Sequence, residues 1–314
     1  MSMIIRSFQG IDTQGLIEIW NQSVPSDGVT LDVLERKVLL DANFEADGLI
    51  VAEEDKSLVG FMVCLVRRVP MEGVGLQENQ GWVSMFGVHP EHRRKGIGTH
   101  IWKKAEEFFK KRNRKTVSIS PYSPNYFVPG LDMEEYVDGI KFLEKMGFKQ
   151  VVTSLSMDNQ IITYRIPEKI LENEKRLEKD GITIQPYRRG LLMPYMEFMK
   201  KHMPGDWIRL ARENLALLTI GKFKEEQILV ALKGEEIIGY AQFEEEHFGP
   251  FGVRDDYQGK GIGGVILART IETMHNRGHH CAWFLWTGDD AARLYQRVGF
   301  KETRRFAIMR KELV

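Results

Sequence analysis

Two glycine-rich segments contain the residues best suited to chemistry in this 314-residue sequence. The first reads Arg-Arg-Lys-Gly-Ile-Gly-Thr over 93–99, and the second reads Gln-Gly-Lys-Gly-Ile-Gly-Gly over 258–264. Each follows a short apolar strand and precedes a helical pattern, so backbone N–H groups are expected to converge on an anion at a helix N-terminus. Lys260 adds positive charge to the second segment. A pyrophosphate is the ligand that such a loop suits.

The second segment also satisfies the dinucleotide spacing G-x-G-x-x-G at Gly259, Gly261 and Gly264. In the first segment Thr99 takes the place of the third glycine, and no acidic residue ends the next strand where a ribose would bind. A nicotinamide-dependent oxidoreductase therefore stays an alternative, which requires its cofactor at the second segment. No G-x-x-x-x-G-K-[ST] pattern occurs, so a P-loop nucleotidase is unsupported.

A proton donor is predicted near the C-terminus, in the segment Ala-Ala-Arg-Leu-Tyr-Gln-Arg-Val-Gly-Phe over 291–300. A similar segment over 139–148 has Leu143 where the later one has Tyr295, with Phe142 one position earlier. Neither leucine nor phenylalanine can donate a proton, so the two halves are chemically unequal and the chemistry is expected in the second. The alternative is that Tyr295 only packs in a core.

The elements that would position these residues form an internal repeat. The segments starting at Phe86 and Phe251 align with an offset of 165 residues, and the later Gly-Phe pairs at 147 and 299 align with an offset of 152. The first copy thus has 13 extra residues, in the loop Pro-Tyr-Ser-Pro-Asn-Tyr-Phe-Val-Pro-Gly-Leu-Asp-Met over 121–133. Alternating strands paired in hairpins and then followed by a helix indicate a mixed α/β sheet in each half.

The repeat predicts two domains joined by a charged helix. We place an N-terminal domain at 1–165, a helical linker at 166–180 and a C-terminal domain at 181–314. The length of the chain fits two domains of ordinary size.

Both copies share [Q/R]-x-x-G-x-G after a strand that ends in Val88 or Val253, and here the sequence resembles the GCN5-related N-acetyltransferase (GNAT) superfamily. The resemblance covers nearly the whole chain and implies two tandem GNAT domains, each a mostly antiparallel sheet splayed at the coenzyme site and flanked by helices. It implies that acetyl-coenzyme A binds through these residues: Val253, Gln258, Gly259, Lys260, Gly261, Ile262, Gly263 and Gly264, and in the degenerate first copy Val88, Arg93, Arg94, Lys95, Gly96, Ile97, Gly98 and Thr99.

The resemblance also implies catalytic roles in the second half. Tyr295 would protonate the departing thiolate, and the Val253 N–H would polarise the carbonyl of the acetyl group. Relatives with a base on the same strand have it about six residues before the last apolar residue, where His247 stands; histidine ordinarily titrates near neutral pH. Strand alternation would put 247, 249, 251 and 253 on one face. Glu246 and Asp289 are alternative bases, and His247 as an ordinary surface residue is a further alternative.

The function expected is transfer of acetyl from acetyl-coenzyme A to the primary amine of a small molecule. Among tandem members the sequence is similar to mycothiol synthase and to glucosamine/glucosaminide N-acetyltransferases, which favours an amino sugar as acceptor. Acidic residues near the second site suit a cationic amine, and Trp286 and Asp289 are the expected substrate contacts. The alternatives are a peptide or protein N-acetyltransferase and a non-catalytic coenzyme-A-binding sensor or scaffold.

The charge balance and the cysteine content limit the kinds of partner and metal that we expect. Lys plus Arg and Asp plus Glu both number 44, so a net charge of zero argues against a nucleic-acid partner. The two cysteines are far apart in apolar runs, which excludes a disulfide framework and a cysteine zinc site, and no metal is expected. We find neither a leader nor a long apolar run, so we expect a cytoplasmic protein, a monomer or homodimer, without a membrane partner.

Overall fold

The computed structural model describes residues 3–313, and these residues pack as two compact units. The first, which we call the N-terminal unit, contains residues 3–70, 75–154 and 305–313. The second, the C-terminal unit, contains residues 71–74 and 155–304.

The N-terminal unit is a mixed sheet between two layers of helices. Helix α3 packs on one face of the sheet with Ile97, Ile101 and Trp102 buried, and α1 covers the other face with Leu16 and Trp20. The elements in chain order are β1 (Ile4–Ser7), α1 (Thr13–Ser23), α2 (Leu31–Leu34), a π-helical turn (Glu35–Leu39), β2 (Leu49–Glu54), β3 (Ser57–Val66), β4 (Gln80–Val88), α3 (Ile97–Lys111), β5 (Thr116–Ile119), β6 (Leu131–Asp132), α4 (Val137–Lys145) and the first half of β7 (Lys149–Gln160).

The C-terminal unit repeats this plan. Helices α5 and α8 lie on one face of its sheet, and α6 and α7 lie on the other. After β7 the elements are α5 (Glu168–Lys179), β8 (Ile182–Pro186), α6 (Leu192–His202), α7 (Gly205–Thr219), β9 (Ile228–Lys233), β10 (Glu236–Glu244), β11 (His247–Val253), α8 (Ile262–Asn276), β12 (Cys281–Thr287), α9 (Asp289–Gln296) and β13 (Lys301–Glu312).

The sheets confirm the predicted fold class. Strands run in the order β1-β2-β3-β4-β5-β13 in the N-terminal unit and β7-β12-β11-β10-β9-β8 in the C-terminal unit. The register gives antiparallel pairs throughout except for β4 with β5 and β11 with β12, which are parallel. In each half the parallel pair lies beside the glycine segment, because the helix that follows the glycines is the crossover between the two strands.

The two units do not follow chain order, and this differs from the boundaries drawn from the sequence. Residues 155–160 of β7 pair with β12 in the C-terminal unit, from Leu155 with Thr287 to Gln160 with Cys281. Residues 310–312 of β13 pair with residues 116–118 of β5 in the N-terminal unit. Each long strand thus begins in one unit and ends in the other, which hydrophobic periodicity along the chain cannot show.

Candidate functional site

A large cleft lies in the N-terminal unit, where β4 and β5 part. The two strands pair only from Gln80 to Val83, and the last bond joins the Ser120 N–H to the Val83 carbonyl at 2.8 Å. Beyond that point residues 84–88 of β4 line a cavity of about 1080 Å³ that extends to the first turn of α3. The cleft therefore joins an unpaired strand edge to a helix N-terminus.

The glycine segments have matching backbone geometry in the two units. Gly96 and Gly261 are the N-caps of α3 and α8, with φ of +83° and +85°. Two residues earlier Arg94 and Gly259 are also left-handed, with φ of +66° and +73°. This alternation of left-handed residues turns successive N–H groups to one side, as an anion site requires.

The residue that opens each motif fastens the loop to the end of its strand. Arg93 Nε donates to the Val88 carbonyl at 3.2 Å, and Gln258 Nε2 donates to the Val253 carbonyl at 3.4 Å. Both side chains are long donors that reach the same carbonyl in their own copy, which explains why the motif takes either residue.

Lys260 does not extend away from its own loop. Its Nζ donates to the Asp256 carbonyl at 2.9 Å and lies 4.5 Å from the centre of the Tyr257 ring. Helix α5 also reaches this loop, since Asn173 donates to the Gly261 carbonyl at 3.0 Å and Arg176 donates to the Lys260 carbonyl at 2.7 Å. The second loop is therefore held from outside by the predicted linker helix.

The second glycine of each motif makes room for an aromatic ring. A Cβ at Gly98 would lie 3.2 Å from the Phe142 ring, and a Cβ at Gly263 would lie 3.1 Å from the Phe251 ring. Phe142 itself lines the cleft of the N-terminal unit. Leu294 lies 3.4 Å from the Cβ position of Gly263, so Phe142 is the counterpart of Leu294, and Leu143 takes the place of Tyr295.

Tyr295 lies in a group of aromatic rings in the C-terminal unit. Its ring centre is 4.5 Å from that of Phe284, 5.6 Å from Phe300, 6.0 Å from Phe248 and 6.1 Å from Phe251. Burial raises the pKa of the phenol, so the hydroxyl stays protonated at neutral pH. Among residues 3–313 its hydroxyl has no hydrogen-bond partner, which leaves the proton available for a ligand.

His247 occupies the end of β11 at which the parallel strands are still paired. It is the register partner of Trp283, whose N–H donates to the Glu246 carbonyl at 3.0 Å, and the two ring centres are 4.7 Å apart. No further β11–β12 pair follows, so in the described structure the strands separate just beyond His247.

The prediction that 247 and 251 share a face is wrong. Opposite β10, the register shifts between Ala241 and Phe243, so that β11 has one extra residue between Phe248 and Phe251. A bulge of this kind breaks the two-residue alternation. Phe248 and Phe251 consequently both contact Tyr295, whereas His247 contacts Trp283 on the opposite face.

The Glu246 carboxylate accepts hydrogen bonds from the backbone at the start of β12. Its Oε1 accepts hydrogen bonds from the His280 N–H at 3.0 Å and the Cys281 N–H at 3.1 Å. These donors stabilise the carboxylate and lower its pKa. A carboxylate held in this way is a poor proton acceptor at neutral pH.

The two predicted substrate residues lie near the other end of β12. Trp286 is 41% exposed and precedes the turn that leads into α9, and Asp289 is the first residue of that helix. Gly288 is the N-cap of α9, so Asp289 and Asp290 place negative charge in its first turn.

Two residues near the site were not predicted from the sequence. Ser84 lies on the β4 edge of the cleft, and its buried hydroxyl has no hydrogen-bond partner among residues 3–313. Asp158 is the register partner of Trp283 on β7, 125 positions earlier in the chain. Only strand pairing reveals the second feature, since no local signal connects β7 with β12.

Over the part of the chain that the structure describes, no three His, Cys, Asp or Glu side chains come together as a metal site. Within the same residues no helix combines the length and apolar character needed to cross a membrane.

Both halves match models of one protein family. Residues 14–148 match the model described as the acetyltransferase (GNAT) family, and residues 224–302 match the model described as the acetyltransferase (GNAT) domain. An uncharacterised N-acetyltransferase of Archaeoglobus fulgidus is 33% identical over 82 residues, which are 26% of this chain and 54% of that protein. The chain thus spans about half the length of this curated relative.

Solved structures share the fold over nearly the whole chain. The GCN5-related glucosamine N-acetyltransferase region of a fungal multi-domain GH3 beta-N-acetylglucosaminidase is 18% identical with a TM-score of 0.80, over 98% of this chain and 38% of that one. A GCN5-related N-acetyltransferase from Sphaerobacter thermophilus is 19% identical with a TM-score of 0.71, over 99% and 96%. A tandem GNAT protein from the clavulanic acid biosynthesis pathway is 14% identical with a TM-score of 0.61, over 100% and 99%.

Proposed function

Because this chain belongs to the GNAT acetyltransferase family and has two of its domains in tandem, we propose that it moves an acetyl group from acetyl-coenzyme A to the primary amine of a small molecule. The observation that carries the proposal is the cleft of the N-terminal unit, which runs from an unpaired strand edge to a glycine loop at a helix N-terminus.

The residues of this cleft fit the coenzyme. The left-handed Arg94 and Gly96 direct N–H groups to an anion at the start of α3, which suits a pyrophosphate. The unpaired edge of β4 offers backbone groups to an amide-containing arm, and the unpartnered Ser84 hydroxyl lies along it. These features support the proposal that coenzyme A binds at Val88 and residues 93–99 of the N-terminal unit.

We propose that the groups for proton transfer are in the C-terminal unit. Bound acetyl-coenzyme A supplies the acetyl group as an activated thioester. Tyr295, kept protonated by its aromatic surroundings, is the proposed proton donor, and His247 is the proposed acceptor of the proton of the amine. The two side chains lie on opposite faces of β11, at the point where it separates from β12. Val253 and residues 258–264 are the proposed coenzyme contacts here.

An amino sugar is the acceptor we propose. Exposed indoles on β12 suit the apolar face of a sugar ring, and carboxylates nearby suit its ammonium group. Of the three solved structures reported above, the one with a TM-score of 0.80 is described as a glucosamine N-acetyltransferase region. This similarity of fold supports the proposal of the same acceptor.

A coenzyme-A-binding protein without turnover is the second candidate. The observation in its favour is that the unit with the large cleft has the buried Leu143 where the C-terminal unit has Tyr295. Leucine offers no proton, so this unit would bind the coenzyme and leave it intact.

Calorimetric titration of acetyl-coenzyme A, with two matched variants, tests the proposal. Thr99 and Gly264 occupy equivalent positions in the first turns of α3 and α8, and a Cβ at Gly264 meets its nearest neighbour at an ordinary 3.8 Å. Thr99→Glu and Gly264→Glu each place a carboxylate against the anion site of one unit, while the helix dipole favours an acidic residue there. Thr99→Ser is the control.

We expect Thr99→Glu to remove coenzyme binding from the N-terminal unit, and Thr99→Ser to keep it. If both units bind, Gly264→Glu should reduce the stoichiometry from two to one and stop acetylation of glucosamine. Absence of any binding to the unchanged protein would refute the proposal. Full acetylation by Gly264→Glu would move the chemistry to the N-terminal unit.

A further inference from the structure

A row of polar and aromatic side chains crosses four strands of the C-terminal unit. Glu244 of β10 pairs with His247 of β11, His247 pairs with Trp283 of β12, and Trp283 pairs with Asp158 of β7. Residues directly opposite one another in a sheet project to the same face. Strands are about 4.8 Å apart, so the row is roughly 14 Å long.

This row lies on the face away from Tyr295. Phe284, the neighbour of Trp283 along β12, packs against Phe248 and Tyr295, so Trp283 points the other way. Helices α6 and α7 cover this face over β8, β9 and β10, where Tyr195 and Trp207 pack against Tyr240. At Trp283 the side chain is 37% exposed, and Glu244 is exposed at the end of the row.

The carboxylates of the row are not neutralised by the protein. Within residues 3–313, neither Glu244 nor Asp158 forms an ion pair or a side-chain hydrogen bond. The adjacent Glu246, by contrast, accepts hydrogen bonds from two backbone N–H groups. Two uncompensated negative charges on either side of an indole and an imidazole form a complementary surface for a cation with an apolar face.

We propose that Glu244, His247, Trp283 and Asp158 form the surface that binds the acceptor, and that the acceptor is an amino sugar in its ammonium form. The inference rests on the proposed function, since it assumes that the molecule acetylated is an amine. The sugar ring stacks on the Trp283 indole, its ammonium group lies between His247 and Glu244, and Asp158 accepts a hydrogen bond from a ring hydroxyl. A pyranose provides the flat apolar face that an indole binds, which a linear alkylamine lacks.

Binding of glucosamine to the full chain without coenzyme tests this proposal, by calorimetry and by tryptophan fluorescence. We expect saturable binding that quenches or shifts the fluorescence. Trp283→Ala and Glu244→Gln should each weaken it about tenfold or more, the loss expected for a stacking contact or a charge-assisted hydrogen bond. The matched control is Glu245→Gln, which removes an adjacent carboxylate that is outside the row and should bind glucosamine normally. N-acetylglucosamine, which lacks the ammonium group, should bind at least tenfold more weakly than glucosamine.

Three results would overturn the proposal: glucosamine binding that is unchanged in Trp283→Ala and Glu244→Gln, equal binding of N-acetylglucosamine, or preferential binding of a lysine peptide through the same residues. These results are separable from failure of the acetyltransferase proposal. If acetyl-coenzyme A binds and another amine is acetylated, only the acceptor surface is wrong. If glucosamine binds through the row but no coenzyme binds, only the acetyltransferase proposal is wrong.

Discussion

At the scale of single residues, the environment of Tyr295 determines what its hydroxyl can do. Four phenylalanine rings surround the phenol, and their low polarity raises its pKa. The hydroxyl therefore keeps its proton at neutral pH until the coenzyme occupies the site. In the proposed mechanism this proton goes to the departing thiolate, which has no other donor among the surrounding rings.

Replacing Tyr295 with phenylalanine should therefore slow turnover without affecting coenzyme binding. We expect kcat to fall roughly 10²-fold, the contribution of one general acid, because the ring packing is preserved and only the proton is lost. Steady-state kinetics and calorimetry with acetyl-coenzyme A measure the two effects. Tyr164→Phe is the control, since that buried hydroxyl also has no partner in the described structure and lies outside the proposed site. An unchanged kcat would remove Tyr295 from the mechanism.

Glu246 and His247 can be separated by the pH dependence of the rate. The His280 and Cys281 N–H groups lower the pKa of Glu246 below its ordinary 4.5, so this carboxylate is already deprotonated throughout the neutral range. Glu246→Gln should keep the acidic limb of the pH–rate profile, and His247→Gln should flatten it. Loss of the limb in Glu246→Gln alone would make the carboxylate the base.

The same lowered pKa predicts a pH-dependent contribution to stability. A carboxylate with a depressed folded-state pKa stabilises the fold above its unfolded-state pKa, and this contribution is lost as the pH falls through the folded-state value. Glu246→Gln should therefore lower the melting temperature at pH 7 more than at pH 3. Thermal unfolding of the two proteins at both pH values measures this difference.

At the scale of elements, the parts of the site that depend on local backbone geometry were predictable from sequence. Glycine is favoured at 96 and 261 because the backbone is left-handed where α3 and α8 begin. The spacing of the glycines in the sequence is enough to predict this loop geometry. The face of His247 was predicted wrongly. It depends on one extra residue of β11 opposite β10, in the stretch Gly249-Pro250. Glycine and proline inside a strand are typical of a bulge, but the face of each neighbour follows only once the pairing register is known.

The extra loop of the N-terminal unit ends against the last strand of the chain. Gly130 lines the cleft, and a Cβ there would press on the carbonyl oxygen of Ala307 in β13. Gly130→Ala should destabilise the N-terminal unit by about 1 to 3 kcal/mol, as overpacking does, and weaken coenzyme binding. Urea unfolding and calorimetric titration measure both effects. Gly10→Ala is the control, because nothing lies within 4 Å of its Cβ position, and equal effects of the two variants would contradict this account.

At the scale of the whole molecule, the sequence repeat identified two similar folds. Each packed unit, however, contains a strand segment that the repeat assigns to the other half of the chain. The C-terminal residues Ala307 and Met309 are buried in the core of the N-terminal unit, together with Trp102 and Phe148. Integrity of the N-terminal cleft therefore depends on residues at the opposite end of the chain. A domain cut out at residue 165 would lack this strand.

Two methionines of equal burial distinguish this arrangement from a division in chain order. Met309 belongs to the core of the N-terminal unit and Met274 to that of the C-terminal unit, and both are fully buried. Truncation of either to alanine should cost about 2 to 5 kcal/mol. Hydrogen exchange should then accelerate in β5 for Met309→Ala and in β12 for Met274→Ala, because each cavity destabilises the unit that contains it. If Met309→Ala instead accelerated exchange in β12 and left β5 unchanged, the last strand would belong to the C-terminal unit. The two units would then follow the boundaries predicted from the sequence repeat.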